Sequence, residues 1–524
     1  MEKKNNNFTH IPKEKFSFVN DGERITDKKF DDKPIGYFKD AWIRFRKSKA
    51  SVVATVIIIA IILYSFLAPL FIPHESTFMV NMYAKKAPRD TFLRQFGIAD
   101  GGMDRTFSER GLIKAVAMGM GAEDVDGTGV TLEEGMASEY QPMLEIGEGV
   151  VTLTPSKKEA LYFDGRIDVY LEVGFMYRSI QQSELPKILE WQEQTGKQVL
   201  FPLVENNEYN LDPNDANYWY KSKKGDPISI DANGKMSYVK YGPGMELEDN
   251  YKRDENGDVI YYEYTGGGTL ETAQYKVRVL FYNYYQYLYG NEPNYILGTD
   301  SQGYDLALRI AGGIKLSLLV AVFVCVINFI LGAMYGAVEG YYGGWLDMIL
   351  ERVSDILNNV PFIVVATLFQ IHLAAKVGPI PSLLFAYVVT GWIGTAYRVR
   401  TQFYRFKNQE YVMAARTLGA SDKRIIWKHI FPNTLGTLIT STALAIPGTI
   451  MSESMLSFLG IVKLGTAEST SLGTLLSDAS AIWTNYPHLM IYPAIIISLL
   501  MICFNLFGNG LRDAFNPALR GVEE

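Results

Sequence analysis

Residues 51–72 read SVVATVIIIAIILYSFLAPLFI and contain no charged side chain. A helix of these 22 residues, at a rise of about 1.5 Å per residue, measures roughly 33 Å and crosses a hydrocarbon core of roughly 30 Å. A cleaved signal peptide would lie close to the N-terminus and have a shorter apolar core, whereas 50 residues precede this run. The run therefore predicts a retained first transmembrane helix at 51–72.

Five further stretches without charge follow in the C-terminal half, at 316–338, 356–375, 377–397, 430–452 and within 479–511. They lack the polar face that helices on the surface of a soluble protein show. Their prolines are tolerated in a membrane when neighbouring helices satisfy the freed backbone groups. The sequence predicts an α-helical multi-span membrane protein with six transmembrane helices, five of them in a core at 297–511, and an inserted α+β external domain between spans 1 and 2.

The charges divide the chain into two unlike parts. Residues 73–296 carry 35 acidic and 22 basic side chains, a net charge of −13, so the remaining residues carry +6 of the total of −7. The mean hydropathy of +0.02 averages these two parts and describes neither. A disordered chain and a single soluble core are both excluded, because the uncharged runs need a bilayer and the acidic part is long enough to bury a core of its own.

Basic residues outside the spans predict the orientation in the cell (cytoplasmic) membrane. A basic cluster at 44–49 precedes the first span and places the N-terminal tail, 1–50, in the cytoplasm. Six spans return the chain to the same side, so the segment 398–429, with eight basic and two acidic side chains, and the C-terminal tail, 512–524, are expected inside as well. The segment 339–355 departs from this pattern because it is acidic, but acidic residues weigh little in the rule.

Residues 73–296 are then expected to form one external domain, which we predict to be α+β. Asn233-Gly234 and Asn256-Gly257 are hairpin-turn signals, and strand-forming residues follow the second at 258–264 until the glycines at 266–268. The segment 184–195 suits a short helix. The tyrosines at 261–295 have an alternating spacing that favours a strand face packed on a core, and an aromatic surface that anchors the domain or receives a partner is the alternative.

The acidic part shows no motif for chemistry. It has no cysteine and only one histidine, so neither a disulfide nor a zinc site is expected. The acidic clusters at 124–127 and 254–258 do not complete the calcium-loop pattern, and turn-forming Asp and Asn account for them. Hydrolase and zinc-protease motifs are missing from it as well. We expect no catalytic residue, no metal and no cofactor in this chain.

The most informative stretch reads EYVMAARTLGASDKRIIWKHIFPN at 410–433. It begins within 398–429, which we call the basic loop. The stretch predicts two short helices with a bend at Gly419, the second capped by Ser421. The first helix would present Tyr411, Ala414, Ala415 and Leu418 on one side. Such an element could lie on the lipid surface, but its short, alanine-rich apolar face suits docking into a protein groove better.

This stretch closely resembles the EAA coupling loop of ABC importer permeases in the oligopeptide, dipeptide and nickel branch. Further segments match that family in the same order, namely LGTDSQGYD at 297–305, GYYGGWLD at 340–347, ESMLSFLG at 453–460 and GNGLRD at 508–513. The resemblance covers 36–72 and 297–520, and is greatest to the C-type oligopeptide permease subunits. The connection between the first two spans is usually far shorter in that family, so the resemblance says nothing about the fold or role of 73–296.

The resemblance implies both a contact site and a set of partners. In the family, the loop sits in a groove of an ATPase subunit, and the corresponding contact residues here would be Glu410, Ala414, Ala415, Arg416, Leu418 and Gly419. The implied partners are a second permease subunit in a heterodimer, two ABC ATPase subunits, an external substrate-binding protein, membrane lipid and a peptide substrate, and no nucleic acid. The sequence contains no GxxxxGK[ST] loop, so ATP and Mg would be bound by the ATPase subunits, whose hydrolysis drives alternating access.

Two other functions compete with this one. A membrane-anchored ligand-sensing receptor needs no such loop and would carry an output domain after the last span. A secondary transporter needs carboxylates within the membrane, and the predicted spans contain no Asp or Glu. Asn328 and His372 are the notable polar residues of the spans, and each is expected to hydrogen-bond between helices rather than to bind substrate. The cargo stays open among oligopeptide, dipeptide, nickel and others.

Overall fold

The computed structural model describes residues 36–75, 77–153, 159–205, 212, 214–216, 220–221, 227–238, 248–267, 273–465 and 470–515. Most of the predicted N-terminal tail, the C-terminal tail after residue 515 and the last glycine of the run at 266–268 lie outside the described residues. Within the described part, the chain forms a helical bundle, and a part with both helices and strands is inserted after the first long helix of that bundle.

The elements are named in chain order. The helices are α1 Tyr37–Lys47, α2 Lys49–Phe71, α3 Glu109–Glu123, α4 Leu132–Ala137, α5 Leu185–Thr195, α6 Phe281–Tyr289, α7 Leu306–Tyr342, α8 Gly344–Asn358, α9 Phe362–Val377, α10 Pro379–Thr390, α11 Ile393–Phe406, α12 Glu410–Thr417, α13 Asp422–Phe458, α14 Leu472–Ser480 and α15 His488–Phe515. The strands are β1 Gly102–Ser108, β2 Met143–Leu153, β3 Glu159–Asp168, β4 Phe175–Gln181, β5 Leu200–Phe201, β6 Tyr220–Lys221, β7 Ile228–Ile230, β8 Met236–Tyr238, β9 Glu248–Asp249, β10 Tyr262–Gly266 and β11 Gln274–Leu280.

Five spans of the described part are long and apolar enough to cross a membrane: α2, α7, α10 continued by α11, α13 and α15. A sixth results if α8 and α9, which meet at 73°, count as one span. The predicted third span at 356–375 is therefore not one straight helix. Its first residues belong to α8, whose acidic side chains make it amphipathic, and Pro361 separates α8 from α9.

Small residues allow α7 and α11 to pack closely. Gly332, Gly336 and Gly340 repeat every four residues along one side of α7, and a Cβ on Gly336 would lie 2.2 Å from the carbonyl oxygen of Ala396. Such a stripe lets two backbones approach within a membrane, where packing rather than the hydrophobic effect holds helices together. The α7–α11 pair therefore forms a rigid centre of the bundle.

The spanning helices contain buried carboxylates, which corrects the expectation that the spans have none. Glu453 follows the predicted fifth span directly and lies inside α13, fully buried. Its two carboxylate oxygens accept hydrogen bonds of 3.0 Å from the hydroxyls of Ser317 and Ser457. Glu339 is buried in α7 in the same way. The predicted runs end at the first charge, whereas the helices continue past it because these charges are satisfied within the protein.

The inserted part contains two main antiparallel sheets among the described residues. One has the strand order β1-β3-β2, and the other has the order β10-β11-β4 with β5 also paired to β11. The helix α3 packs against this part through an almost entirely buried run at 112–122. Its core is continuous from Leu112 through Phe163 and Tyr170 to Val277. This part therefore buries a hydrophobic core of its own.

Local predictions in the inserted part have mixed outcomes. The turn at Asn233-Gly234 is confirmed, because it joins β7 to β8 and Gly234 has a φ of +78°. The helix predicted at 184–195 is confirmed as α5. The strand predicted from the tyrosines is confirmed in β10 and β11, which contain Tyr262, Tyr264 and Tyr275, but it is wrong for 281–289, which forms the helix α6 and buries Tyr282 and Tyr285. Tyr282 and Tyr285 are three residues apart, which fits one face of a helix. The alternating tyrosines fit one face of a strand equally well, and tertiary packing decides between helix and strand.

The two ends of the inserted part are paired with each other. The amide of Val80 donates to the carbonyl of Gly303 at 3.1 Å, and Arg89 and Tyr295 exchange two backbone hydrogen bonds of 2.8 Å. We call this pairing of 79–89 with 295–304 the stem. The stem carries the backbone connection between residues 90–294 and the bundle, and outside the stem the hydroxyl of Tyr285 lies 3.2 Å from Nε2 of His74.

Candidate functional site

The helix α12 of the basic loop is held by one buried side chain. Val412 is fully buried and belongs to a cluster with Phe403, Ile425 and Ile430 of the neighbouring helices. Val412 is absent from the predicted contact residues, although it lies three residues before Ala415 on the same helix. This anchor fixes the inner face of α12, so the opposite face is presented outward.

Most residues predicted to form the contact site are exposed on that outward face. Leu418 is 88% exposed, the highest value among the large hydrophobic side chains of the described part. Glu410, Ala414, Arg416 and Gly419 are also exposed, whereas Ala415 is half-buried. Leu418 therefore makes almost no contact with its own chain.

Gly419 makes the predicted bend. Its φ is +80°, and the amide of Ala420 donates to the carbonyl of Ala415 while that of Gly419 donates to Arg416, both at 3.0 Å. These two bonds form a Schellman helix end, which requires a left-handed residue. No atom of the described residues lies within 4 Å of the position that a Cβ would occupy. Within this chain, glycine is therefore required by its backbone conformation and not by crowding.

The second predicted short helix is instead the first part of a long one. Ser421 occupies the N-cap position without a side-chain cap hydrogen bond to the described residues, and the chain then continues without interruption into α13. A widened, π-type turn at Ile425–Ile430 lies within α13. The basic loop is thus joined directly to a spanning helix.

Tyr341, at the end of α7, contacts both halves of the loop. Its hydroxyl donates to a carboxylate oxygen of Asp422 at 2.5 Å, and the guanidinium of Arg416 lies 3.5 Å from the same hydroxyl. Nearby, the ammonium of Lys407 donates to the carbonyl of Gly340 at 2.9 Å, and burial lowers the pKa of this lysine. The loop is therefore bound to the end of α7 at several points.

Arg400 forms an ion-pair network that is not among the predicted features. Its guanidinium donates to both oxygens of Asp347, at 2.7 and 2.8 Å, and to Glu351 at 2.8 Å, while Tyr404 donates to Asp347 at 2.6 Å. These contacts fasten α8 to α11. The sequence does contain a signal for this network. The segment 339–355 is acidic where the positive-inside rule predicts basic residues, and its carboxylates pair with Arg400.

The acidic clusters of the inserted part form turns. The carboxylate of Asp126 accepts from the amide of Thr128 at 3.1 Å, and that of Asp254 accepts from the amides of Asn256 and Asp258 at 2.8 and 2.9 Å. Among the described residues, no group of three or more His, Cys, Asp or Glu is arranged to hold a metal ion.

A bundle of spanning helices that carries an anchored, outward-facing helix between two spans is the architecture of a transporter's membrane component. Two family models match the chain. The model for the inner membrane component of binding-protein-dependent transport systems matches residues 328–521. The model for the N-terminal TM domain of oligopeptide transport permease C matches residues 36–88. The second match ends next to Arg89, where the stem ends and the inserted part begins.

Curated relatives match the same region. The chain is 42% identical over 228 residues to an oligopeptide transport system permease protein of Haemophilus influenzae, covering 43% of this chain and 71% of the relative. It is 38% identical over 227 residues to a dipeptide transport system permease protein of Lactococcus lactis, covering 43% of this chain and 64% of the relative. The chain thus spans slightly less than two thirds of the length of the Lactococcus protein.

Among solved structures, an inward-facing methionine ABC transporter matches 39% of this chain and 94% of its own, with 16% identity and a TM-score of 0.34. The chain belongs to the family of binding-protein-dependent ABC permeases, in its oligopeptide and dipeptide branch. This membership, and not a lack of buried carboxylates, excludes a secondary transporter. The family supplies the membrane component of such systems and not their ATPase.

Proposed function

We propose that this chain is the permease subunit of an ATP-driven importer that carries oligopeptides or dipeptides across the cytoplasmic membrane. It crosses the membrane six times, with α8 and α9 counted as one span. The basic loop and both termini face the cytoplasm, and residues 73–296 are external. The names of the relatives support the peptide cargo, and the basic clusters support the orientation.

The observation that carries the proposal is the exposed face of α12. Leu418 extends into solvent at the end of a helix that Val412 anchors, and α13 follows without a break. A groove on an ATPase subunit would bury Leu418, and a movement of that groove would be passed to α13. Two ATPase subunits that bind ATP and Mg, a second permease and an external binding protein complete the proposed importer.

We further propose a docking or gating role for the inserted part. A cavity of about 890 Å³ lies between the β1-β3-β2 sheet and the loop before α15, with Arg105 and Arg166 on one side and Thr484–Tyr486 on the other. The ammonium of Lys85 lies 5.8 Å from the centre of the Tyr486 ring. The inserted part thus extends over a loop that joins two helices of the bundle, where a binding protein would deliver cargo.

Copurification of the ATPase tests the proposal. Leu418→Asp places a charge in the proposed groove contact, and we expect it to abolish ATPase copurification and peptide uptake. Leu189→Asp is the matched control, since Leu189 is also exposed (48%) but lies on α5 of the inserted part. Equal copurification by both variants would contradict the assignment of α12. A chain that binds the ATPase but imports no peptide would contradict the cargo alone.

A further inference from the structure

We propose that a cavity inside the bundle, lined by both polar and apolar residues, binds the main chain of the transported peptide, and this inference rests on the proposed function. The cavity lies between α7, α10, α11 and α13 and has a volume of about 270 Å³. This is slightly below the roughly 300 Å³ at the small end of ligand pockets. It therefore accommodates one or two residues of an extended peptide at a time.

The central observation is an unpaired buried acceptor. Asn328 lines the cavity with 8% of its surface exposed, and its side-chain oxygen has no hydrogen-bond partner among the described residues. A Cβ on Gly391 would lie 2.2 Å from the side-chain nitrogen Nδ2 of Asn328, so the Asn328 side chain packs directly against the backbone of Gly391. The interhelical hydrogen bond expected for Asn328 is not made by this oxygen. A buried acceptor without a partner is costly, and a peptide N–H would satisfy it.

A turn between two helices and a proline lie at the same place. α10 ends at Thr390 and α11 begins at Ile393, and both Thr390 and Gly391 line the cavity. Pro447 lies within α13, next to the lining residue Gly448, and it cannot donate the usual hydrogen bond to the carbonyl four residues earlier. The backbone stays helical at Gly391 and Trp392, with φ of −69° and −75°, so α10 and α11 form one span with a turn beside the cavity.

The lining combines polar and apolar side chains and, among the described residues that form it, contains no carboxylate. The hydroxyls of Tyr387 and Ser452 lie 2.6 Å apart, and Thr449 adds a third hydroxyl. Arg398, the first residue of the basic loop, also lines the cavity; it is exposed, and its guanidinium forms no hydrogen bond or ion pair with the described residues. A guanidinium binds a carboxylate through two parallel hydrogen bonds. The ligand class is therefore a short peptide whose free C-terminal carboxylate meets Arg398.

The cavity is accessible from one side. Gly391, Ala445 and Gly448 line it and are exposed, and none of them has a side chain larger than a methyl group. A peptide can therefore enter laterally into the bundle, and the peptide does not need to displace a bulky side chain to reach Asn328.

The test uses the complete transporter in proteoliposomes, with trialanine as the probe. Asn328→Leu removes the acceptor with little change in volume, and we expect uptake to fall about tenfold, the equivalent of one hydrogen bond, with binding-protein-stimulated ATP hydrolysis unchanged. Asn505→Leu is the matched control, because the amide of Asn505 is exposed on α15 and bonds its own helix at Met501. Equal uptake by the two variants would overturn the assignment of the cavity.

The same assay separates this inference from the function on which it rests. If the unchanged transporter hydrolyses ATP but takes up no trialanine, the peptide function fails and the cavity assignment fails with it. If the unchanged transporter works, the carboxylate contact is tested with trialanine and its C-terminal amide. Arg398→Gln should remove the preference for the free acid, whereas Arg405→Gln, an exposed residue near the end of α11, should keep it. An unchanged preference in Arg398→Gln would overturn the carboxylate contact.

A second measurement does not depend on the folding of any of these variants. Cys325 lines the cavity, whereas Cys503, the other cysteine of the chain, is buried among the helices α2, α7 and α15. In the unchanged complex with the loaded binding protein, we expect trialanine to slow modification of Cys325 by a small methanethiosulfonate and to leave Cys503 unaffected. Equal rates at Cys325 with and without peptide would overturn the proposal.

Discussion

Two residues with opposite surroundings hold the outward-facing helix α12 in place. Val412 is fully buried and fixes the inner face, whereas Gly419 is exposed and supplies the left-handed turn that ends the helix. An L-residue in that conformation costs about 1–2 kcal/mol. The position of Leu418 relative to the bundle therefore depends on a backbone angle and not only on packing.

Replacing Gly419 should separate folding from transport. We expect Gly419→Leu to insert into the membrane at a normal level but to abolish ATP-driven uptake, because the Schellman turn is lost and Leu418 is displaced. Gly196→Leu is the control, since Gly196 ends α5 with a φ of +69°, also with no described atom within 4 Å of a Cβ. The backbone strain is thus the same in both variants, about 1–2 kcal/mol. Normal uptake by Gly419→Leu would refute a coupling role for the loop.

At the scale of elements, α8 packs loosely on the bundle, because Asp347 is the one buried residue of this helix. It exposes Trp345 and Ile356 at 70% and 69%, and the Arg400 network is its principal polar attachment to α11. The side chains of Arg400 and Asp347 are only 16% and 11% exposed. A charge pair this well covered loses more when one partner is removed than an exposed pair does.

Breaking this network should release α8 while leaving the spans in place. We expect Arg400→Gln to cost roughly 2–3 kcal/mol locally, because it leaves Asp347 without its counter-ion. Hydrogen exchange across 344–358 should become faster by the corresponding factor. Arg352→Gln breaks only an exposed pair with Asp355 on the same helix and should change exchange by less than about 1 kcal/mol. Equal exchange in the two variants would show that the network does not hold α8.

At the scale of the whole molecule, the stem separates two folding units. The inserted part has its own core. At the edge of this part, the guanidinium of Arg89 donates hydrogen bonds of 2.8 Å to a carboxylate oxygen of Asp168 and to the hydroxyl of Tyr282. The bundle has separate clusters of buried residues around α7, α13 and α15. The backbone hydrogen bonds between Arg89 and Tyr295 do not require the residues that lie between these two positions in the chain.

Excising the inserted part at the stem tests its role directly. Replacing 90–294 by a short Gly-Ser turn keeps the pairing of 79–89 with 295–304, so we expect the bundle to insert and to copurify with the ATPase as before. Association with the binding protein and peptide uptake should be lost. Undiminished association and uptake would exclude a docking or gating role, and ATPase copurification serves as the control for assembly.

Features that are determined by one stretch of sequence can be predicted from the sequence. Features that depend on contacts between distant stretches cannot. The uncharged runs identify five spanning helices because a bilayer-long apolar stretch has few other solutions. The bend between α8 and α9 is not predicted, because the hydropathy of a run is an average over residues on both sides of Pro361. The tyrosines of α6 suggest a strand because helix and strand spacings overlap over nine residues. For the candidate site, Gly419 and the exposed face of α12 are predictable from residue type, whereas Val412 and Arg400 require knowledge of which elements meet.

The stem also bears on how such a chain can change over generations. Residues paired across antiparallel backbone lie only about 4.5–5.5 Å apart, so whatever is inserted at Arg89 and Tyr295 leaves and returns at nearly one point. A domain of any size with neighbouring termini can be gained, lost or exchanged there without altering the spacing of the helices below. The inserted part is in this sense a replaceable module, and its sequence is free to follow a different selective pressure from that of the permease.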